Sequence, residues 1–475
     1  MGGGLIQLVA TGAQDVYLTG NPQISYFKKV QRKYTNFSNQ MITKRPIIQK
    51  PLENNSDVDI EFKIDRDGEL IKDMYLTFEI PDIYSNNTDK FQWIKRLGEY
   101  IIKEVSIHGG NSRYDIQYSE WLHIWHELTL LTSLKTGYYK MIGYDLELYD
   151  PETFAGSYPS TTTSSTIPSI RGRKLYVPLL FWFNRAYSQA FPLIAVQYEE
   201  LKLKVKLREA KHLFTILDSG NRVRPNKSIG TYIKENPINL DLNTALEINY
   251  IFLDDQERTK FANLEHTYLV SQLQRVQTQI TPDFGLNKTT SINIENFQHP
   301  TTNLIWILRR SDLENANQWS NFTNWPDESK PPFISSNINS YNPFSNEESN
   351  TDENDYPSFK HKNICLSGNL TLNGLDRFEV KDVNMFNLVN NYQHHYNVPD
   401  EGINVYSFNL SNFMDIYYQQ PNGSCNMSRF NTKNLNITTV QKPTGTSHNY
   451  NVTVFAISYN ILRIMGGMAN MEFNL

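Results

Sequence analysis

LKLKVKLRE, Leu201–Glu209, alternates without a break. Leu201, Leu203, Val205 and Leu207 fall on one side, and Lys202, Lys204, Lys206 and Arg208 on the other. Successive side chains of a β-strand point to opposite faces, so a period of two predicts a strand with one buried and one wet face. Asp57–Pro81 repeats the pattern. Val58, Ile60, Phe62 and Ile64 alternate with polar residues, Asp67-Gly68 marks a turn, and an apolar strand follows. Tyr100–His108, Lys174–Trp182, Ala245–Leu253, Thr302–Leu308 and Asn451–Ile461 read as further strands. Helical periodicity is sparse. SEWLHIWHELTLL, Ser119–Leu131, offers Ser119 as an N-cap and apolar residues at Trp121, Leu122, Trp125, Leu128 and Leu131, and Asp254–Leu264 reads as a second short helix.

Composition agrees with a mainly β chain. Of 475 residues, 28 are Tyr and 25 Phe, an aromatic content that suits strands, and the length provides for two or three domains with real cores. Lys+Arg of 45 against Asp+Glu of 50 leaves a net charge of −5, which excludes wrapping nucleic acid through the general surface. Two cysteines, Cys365 and Cys425, leave one disulfide or two free thiols open, and the low count favours free thiols of a reducing compartment. The opening MGGGLIQLVATGAQDVYLTG lacks the basic region of a signal peptide, and Ile6 stands where a myristoylation site needs Ser or Thr. The longest apolar run, Leu175–Phe183, is far short of the roughly 20 residues that span a bilayer. The chain reads as soluble or peripheral.

Texture changes after the LKLKVKLREAKHLF strand. Thr215–Asn243 is polar and turn-rich, and strands resume at ALEINYIFLDD. The expected organisation is an N-terminal arm over residues 1–25, a first domain over 26–214, a connector over 215–243 and a second domain over 244–475. Ser311–Asp355 reads as a loop insertion and Thr161–Thr166 as a low-complexity loop. Two domains of similar length and strand content hint at duplication.

Candidate chemistry is thin. His123 and His126 share a helix face with Glu120 and Glu127 nearby, but the spacing is one residue short of H-E-x-x-H and no third ligand is evident; the competing reading is a polar face on a Trp/Leu-anchored helix. In NYQHHYNVPDEGINVYSFNLS, Asn391–Ser411, adjacent His394 and His395 would point apart on a strand, Asp400 and Glu401 beside Gly402 read as a turn, and Ser407 has no G-x-S-x-G setting. Gly2-Gly3-Gly4 is no phosphate cradle, and the basic and aromatic residues of Tyr26–Phe37 lack a nucleic-acid-binding motif. Sequons such as Asn36-Phe37-Ser38, Asn321-Phe322-Thr323 and Asn422-Gly423-Ser424 are what an Asn- and Thr-rich chain yields by chance. No catalytic, cofactor-binding or metal residue is assigned.

Six segments in order carry a resemblance: GGGLIQLVATGAQDVYLTGNPQISYFKKVQRKYTNF; SEWLHIWHELT; RKLYVPLLFWFNRAYSQAFPLIAVQYEELKLKV; YIFLDDQERTKFANLEHTYLVSQLQ; QHHYNVPDEGINVYSFNLSNFMDIYYQQPNGSCNMSRF; and FAISYNILRIMGGMANMEF. Together they resemble the major capsid proteins of nucleocytoplasmic large DNA viruses. The resemblance implies two consecutive eight-stranded antiparallel jelly rolls, with short helices and long loops inserted between strands. It implies a structural protein and no enzyme, with no cofactor, small-molecule substrate or specific nucleic acid. Three copies would form a pseudo-hexagonal capsomer tiling an icosahedral virion shell, assembled in the host cytoplasm. Its partners would be neighbouring capsomers, minor capsid proteins and a penton protein, with the N-terminal arm near an internal membrane. The alternatives are a β-sandwich carbohydrate-binding or carbohydrate-active protein, and a minor capsid or scaffold paralogue. On the capsid reading, a Pro399–Gly402 turn leads into a strand, Ile403–Leu410, with Val405, Ser407 and Asn409 opposite Tyr406, Phe408 and Leu410. His394 and His395 are then packing groups.

Overall fold

The structure is a computed structural model that describes residues 3–473, apart from 222, 224–227, 235–239, 284–285, 326–327, 329–360, 411–419 and 443–447. Most of the expected Ser311–Asp355 insertion lies outside the described residues. Its first part is packed: Ser311–Asn315 is helical, and Leu313 and Phe322 are buried.

The alternating stretches are strands. We number eight in the first half: β1 Phe37–Lys44, β2 Val58–Ile64, β3 Leu70–Ile80, β4 Ile102–Gly109, β5 Ser112–Tyr118, β6 Arg173–Pro178, β7 Leu201–Leu207 and β8 Ala245–Leu253. Eight more follow: β9 His266–Ile280, β10 Lys288–Asn293, β11 Pro300–Arg310, β12 Cys365–Leu372, β13 Leu375–Asp382, β14 Ile403–Ser407, β15 Lys433–Thr439 and β16 Tyr450–Met465. The first set forms sheets ordered β1-β8-β3-β6 and β2-β7-β4-β5; the second forms β9-β16-β11-β14 and β10-β15-β12-β13. Within each set the order is first-eighth-third-sixth against second-seventh-fourth-fifth. The same wiring occurs twice, as duplication would produce, and each set is a two-sheet jelly roll.

This order corrects one expectation. Ala245–Leu253, expected to open the second domain, is the eighth strand of the first jelly roll and runs antiparallel to β3, with Ala245 opposite Thr77 and Leu246 opposite Leu76. The polar stretch before it therefore lies between the seventh and eighth strands of the first jelly roll. Its described parts stay attached: Phe214–Leu217 pairs with Lys90–Trp93, and Leu240 and Leu242 are buried. Smaller corrections follow the same physics. Pro178 ends β6 short of Trp182, a residue without a backbone N–H being poor material for a continuing ladder. Arg208, expected on the wet face of β7, lies beyond the strand end and is buried.

One core fills the first jelly roll. Val58, Ile60, Phe62 and Ile64 of β2 meet Leu201, Leu203, Val205 and Leu207 of β7 in register inside it. A second core, with Trp306, Leu370 and Val454, fills the other. β11 is nearly all buried because both of its faces are covered. Leu304, Trp306 and Leu308 enter the second core, while Ile305 and Ile307 join a third cluster on the outer face of the sheet. The edges of the two jelly rolls also meet. Gln272 Nε2 of β9 donates to the Tyr114 carbonyl of β5 at 2.6 Å, and the Leu273 N–H donates to Asp115 Oδ1 at 3.3 Å. Two strand edges that would otherwise be open are thereby occupied.

Met1–Phe37 is a separate compact unit. It holds the short helices Gly3–Val9 and Val16–Thr19, and its Leu8, Val9, Tyr26 and Phe27 side chains are exposed. Gly2 lies outside the described residues.

Candidate functional site: a helix between the two jelly rolls

Tyr118 ends β5 and the chain turns at once into helix α1, Ser119–Thr129. Ser119 is not the N-cap. Tyr118 takes that position in extended conformation, and the Ser119 hydroxyl donates to Glu120 Oε2 at 3.2 Å and accepts from Arg208 Nη2 at 3.1 Å. Leu122 of α1 faces the first core, while Trp121, Ile124 and Leu128 pack on Ile305, Ile307, Phe455 and Ile457, outside the second jelly roll. The Trp121 ring lies 5.6 Å from that of Phe455. A helix from one jelly roll therefore forms a packing layer on the other.

The polar residues of α1 do not face water. Glu120, His123, His126 and Glu127 are all buried. Arg96 reaches Glu127 and, at 3.5 Å, Glu99 Oε2; Lys135 Nζ donates to Glu127 Oε2 at 2.8 Å and the Tyr139 hydroxyl to Glu127 Oε1 at 2.7 Å. The Tyr138 hydroxyl donates to Glu99. Glu120 meets Arg309 at 3.4 Å, Arg309 donates to Glu314 Oε1 at 2.6 Å, and the Arg208 guanidinium lies 4.1 Å from the centre of the Trp319 ring. Two carboxyls compete for Arg96, and they end in different states. Burial pushes Glu99 up to about 7 despite the pull of Arg96 and Tyr138. Burial opposes ionisation of Glu127 too, but Arg96 and Lys135 hold it well below the usual carboxylate range.

Both histidines of α1 have partners within the protein. His123 Nδ1 is 3.0 Å from the Tyr100 hydroxyl, and His126 Nδ1 is 2.7 Å from the Leu122 carbonyl and 2.8 Å from the Tyr138 hydroxyl. Burial takes His126 down to about 4 and His123 well below its ordinary value, Arg96 adding to both. Among the described residues, no group of three or more His, Cys, Asp or Glu side chains is arranged to hold a metal ion.

His394 and His395 lie at the end of a helix, Asn390–His394, rather than on a strand. His395 is buried, which takes it down to about 3. Glu401 accepts from Lys362 Nζ at 2.8 Å, Asp400 is exposed, and the Ser407 hydroxyl lies between the side-chain oxygens of Asn409 and, at 3.3 Å, Asn303. The expected strand after the turn ends at Ser407; along it Val405 joins the cluster under α1 while Tyr406 and Phe408 pack on the second core. A cleft of about 640 Å³ is lined by Lys90, Lys95, Glu152 and Glu328 among others, with Glu152 held by Lys90 at 2.8 Å and Glu328 by Lys95 at 2.6 Å. Cys365 and Cys425 are free and sit on different sheets. Sequence reasoning did not single out Arg96, Glu99, Asp115, Arg208 or Arg309. The one available signal was the Arg309-Arg310 pair closing the apolar run NLIWIL.

Residues 25–254 match the family described as major capsid protein N-terminus, and residues 257–470 match the large eukaryotic DNA virus major capsid protein family. The chain is 31% identical to the major capsid protein of Phaeocystis pouchetii virus over 540 residues, covering 100% of both. The chain belongs to the major capsid proteins of large eukaryotic DNA viruses. Its structure is similar to that of the PBCV-1 virus capsid, with a TM-score of 0.69 at 25% identity, over 95% of this chain and 100% of that one. The Faustovirus major capsid protein shares the fold, with a TM-score of 0.67 at 12% identity, over 96% of this chain and 94% of that one. The double wiring found above is thus the double jelly roll of these capsid proteins.

Two expectations for this major capsid protein follow from the site. Gly402 has φ of +108°, and a Cβ there would lie 2.5 Å from the Phe322 carbonyl oxygen. Gly402→Ala should cost about 1–3 kcal/mol through backbone strain alone, read as a lower denaturant midpoint. The second concerns pH. His123, His126 and His395 stay neutral when folded but titrate near 6.5 when unfolded, so each favours unfolding as pH falls through 6.5. Burial raises Glu99 and Asp115 to about 7, so each holds a proton in the folded chain that the unfolded chain releases above 4.5 and 3.8; their penalty is full above 7 and fades below it. Burial takes His448 down to about 4 as well, so four protons against two leave about two net near pH 5.5, or about 2.7 kcal/mol of stability lost per pH unit on acidification. Stability should be nearly flat around neutrality and fall towards pH 5 in denaturant titrations. A rise on acidification would show that the carboxyls outweigh the histidines.

Proposed function

We propose that this major capsid protein works by geometry alone, as a homotrimeric, pseudo-hexagonal capsomer that tiles an icosahedral shell. The supporting observation is the doubled wiring within one chain: two like-shaped jelly rolls joined through α1, so that three copies supply six. A head-to-tail contact between one chain's first jelly roll and the next chain's second closes after three copies. We place the first jelly roll at residues 38–253 and the second at 266–473, with the helix Asp255–Asn263 joining them. Neighbouring capsomers, minor capsid proteins and a penton protein are the partners, Met1–Phe37 is the arm near an internal membrane, and assembly proceeds in the host cytoplasm. No catalytic residue, metal or cofactor takes part. An obligate contact of this kind buries on the order of 2,000–5,000 Å². Light scattering coupled to gel filtration is expected to give the mass of three chains over a wide dilution range. A stable folded monomer at micromolar concentration would overturn this reading.

A further inference from the structure

After β13 the chain forms a second helical segment, Met385–Val389 continuing as Asn390–His394. It occupies the same place in the second jelly roll that α1 occupies in the first, between the fifth and sixth strands. Its burial is the reverse of what an isolated helix face requires. Asn387, Asn390 and Asn391 are buried with Phe386, while Met385, Leu388, Val389 and Tyr392 point outward with 36%, 44%, 39% and 80% of their surfaces exposed. A helix that turns asparagines inward and its long apolar side chains outward has an unfilled contact.

The wiring indicates what fills it. Counted from Tyr118, the last residue of β5, the α1 side chains that cover the second jelly roll come three, six, seven and ten residues later, as Trp121, Ile124, Trp125 and Leu128. Counted from Asp382, the last residue of β13, the same offsets give Met385, Leu388, Val389 and Tyr392. α1 sets its four residues on the outer face of β9-β16-β11-β14. The corresponding sheet, β1-β8-β3-β6, has an outer face where Tyr176, Thr77 and Ala245 stand opposite one another, beside Tyr75. Tyr176 is 37% exposed and Met41 47%. Lys174 and Glu247 pair at 3.3 Å on the same face, a polar rim to the aromatic centre.

We infer that Met385, Leu388, Val389 and Tyr392 dock on the outer face of β1-β8-β3-β6 of a second copy of this chain, repeating between chains the contact that α1 makes within one. This rests on the trimer reading and specifies its contact. Around the ring, three helix-on-sheet contacts within chains alternate with three between chains. The contact is heterologous, so it closes only when the third copy meets the first.

The test pairs the unaltered protein with the double variant Leu388→Glu/Val389→Glu, both by light scattering on gel filtration. These side chains are exposed in the single chain, so the variant should keep its far-ultraviolet dichroism while its mass falls from three chains to one. A variant that stays trimeric overturns this contact and leaves the trimer standing; an unaltered protein that runs as a monomer overturns both. A photo-reactive benzoylphenylalanine in place of Leu388 gives an independent reading that does not depend on the variant's folding. Cross-links to residues 37–44, 70–80, 173–178 or 245–253 of another chain are expected, and cross-links confined to other segments refute the docking.

Discussion

Arg96→Met is expected to lower the unfolding free energy by about 3–5 kcal/mol, one of the largest effects of any single substitution in this chain. Arg96 is buried between two carboxyls and flanked by the rings of Tyr139 and Tyr144, whose centres lie 5.0 and 4.9 Å from its guanidinium carbon. Its backbone is left-handed at φ 57°, an arrangement a non-glycine residue keeps only where its surroundings fix it. Methionine can fill the volume but cannot answer the charge. Glu127 would remain buried and ionised with Lys135 as its one cation in contact, and Glu99 would gain a further reason to stay protonated. The cost arises from the stranded carboxylate and not from lost attraction in itself, since replacing an entire buried ionic group with well-packed neutral residues is often neutral or stabilising. Arg96→Met combined with Glu99→Gln and Glu127→Gln should therefore regain most of the loss. Urea titrations at one fixed protein concentration give both numbers, the fixed concentration being needed because association contributes to apparent stability. A loss below about 1 kcal/mol for the single variant would mean that water reaches the group and screens it.

The strands were readable where one face is wet. Leu201–Leu207 and Val58–Ile64 alternate in sequence and in burial alike, because their charged residues face solvent across from the core. Pro300–Arg310 does not alternate, because the second jelly roll's sheet carries a core on one side and α1 on the other; a continuous apolar run says that both faces are covered without saying by what. The error over Ala245–Leu253 has a similar origin. Loop texture marks where a chain leaves a sheet, but its return is set by pairing with β3, more than 160 positions away in the case of Ala245 and Thr77. The charged group around α1 was hidden for a different reason. Its members come from positions 96, 99, 120, 127, 208 and 309, each of which reads alone as an ordinary surface residue. Only the fold brings them together, and burial and their mutual charges then set their protonation. The helix itself was visible through its tryptophans and leucines; that its polar side is as buried as its apolar side was not.

Trp121→Ala is expected to be as costly as Arg96→Met, about 3–5 kcal/mol, but by another route. The ring is fully buried, stacked on Trp125 at 5.2 Å and set against Phe455 of the second jelly roll. Removing it opens a cavity whose walls belong to different parts of the chain: α1 on one side, and β11, β14 and β16 on the other. Neither wall can close the gap alone, since each is held by its own jelly roll's core. What weakens is thus the coupling between the jelly rolls more than either of them. The polar contacts along the β5–β9 seam, such as Gln272 to Tyr114 and Leu273 to Asp115, would remain, but a few hydrogen bonds at about 1 kcal/mol each do not replace a buried aromatic cluster. The unaltered chain should unfold with coincident transitions by tryptophan fluorescence and far-ultraviolet dichroism. In Trp121→Ala the two should separate, the second jelly roll melting apart from the first, because cooperativity between sub-domains is lost when the interface that couples them is weakened. The conservative Trp121→Phe should keep the transitions together at a smaller cost. If Trp121→Ala unfolds in one coincident step with an undiminished midpoint, the jelly rolls are coupled through their seam, and α1 is a cover on the sheet with no part in joining them.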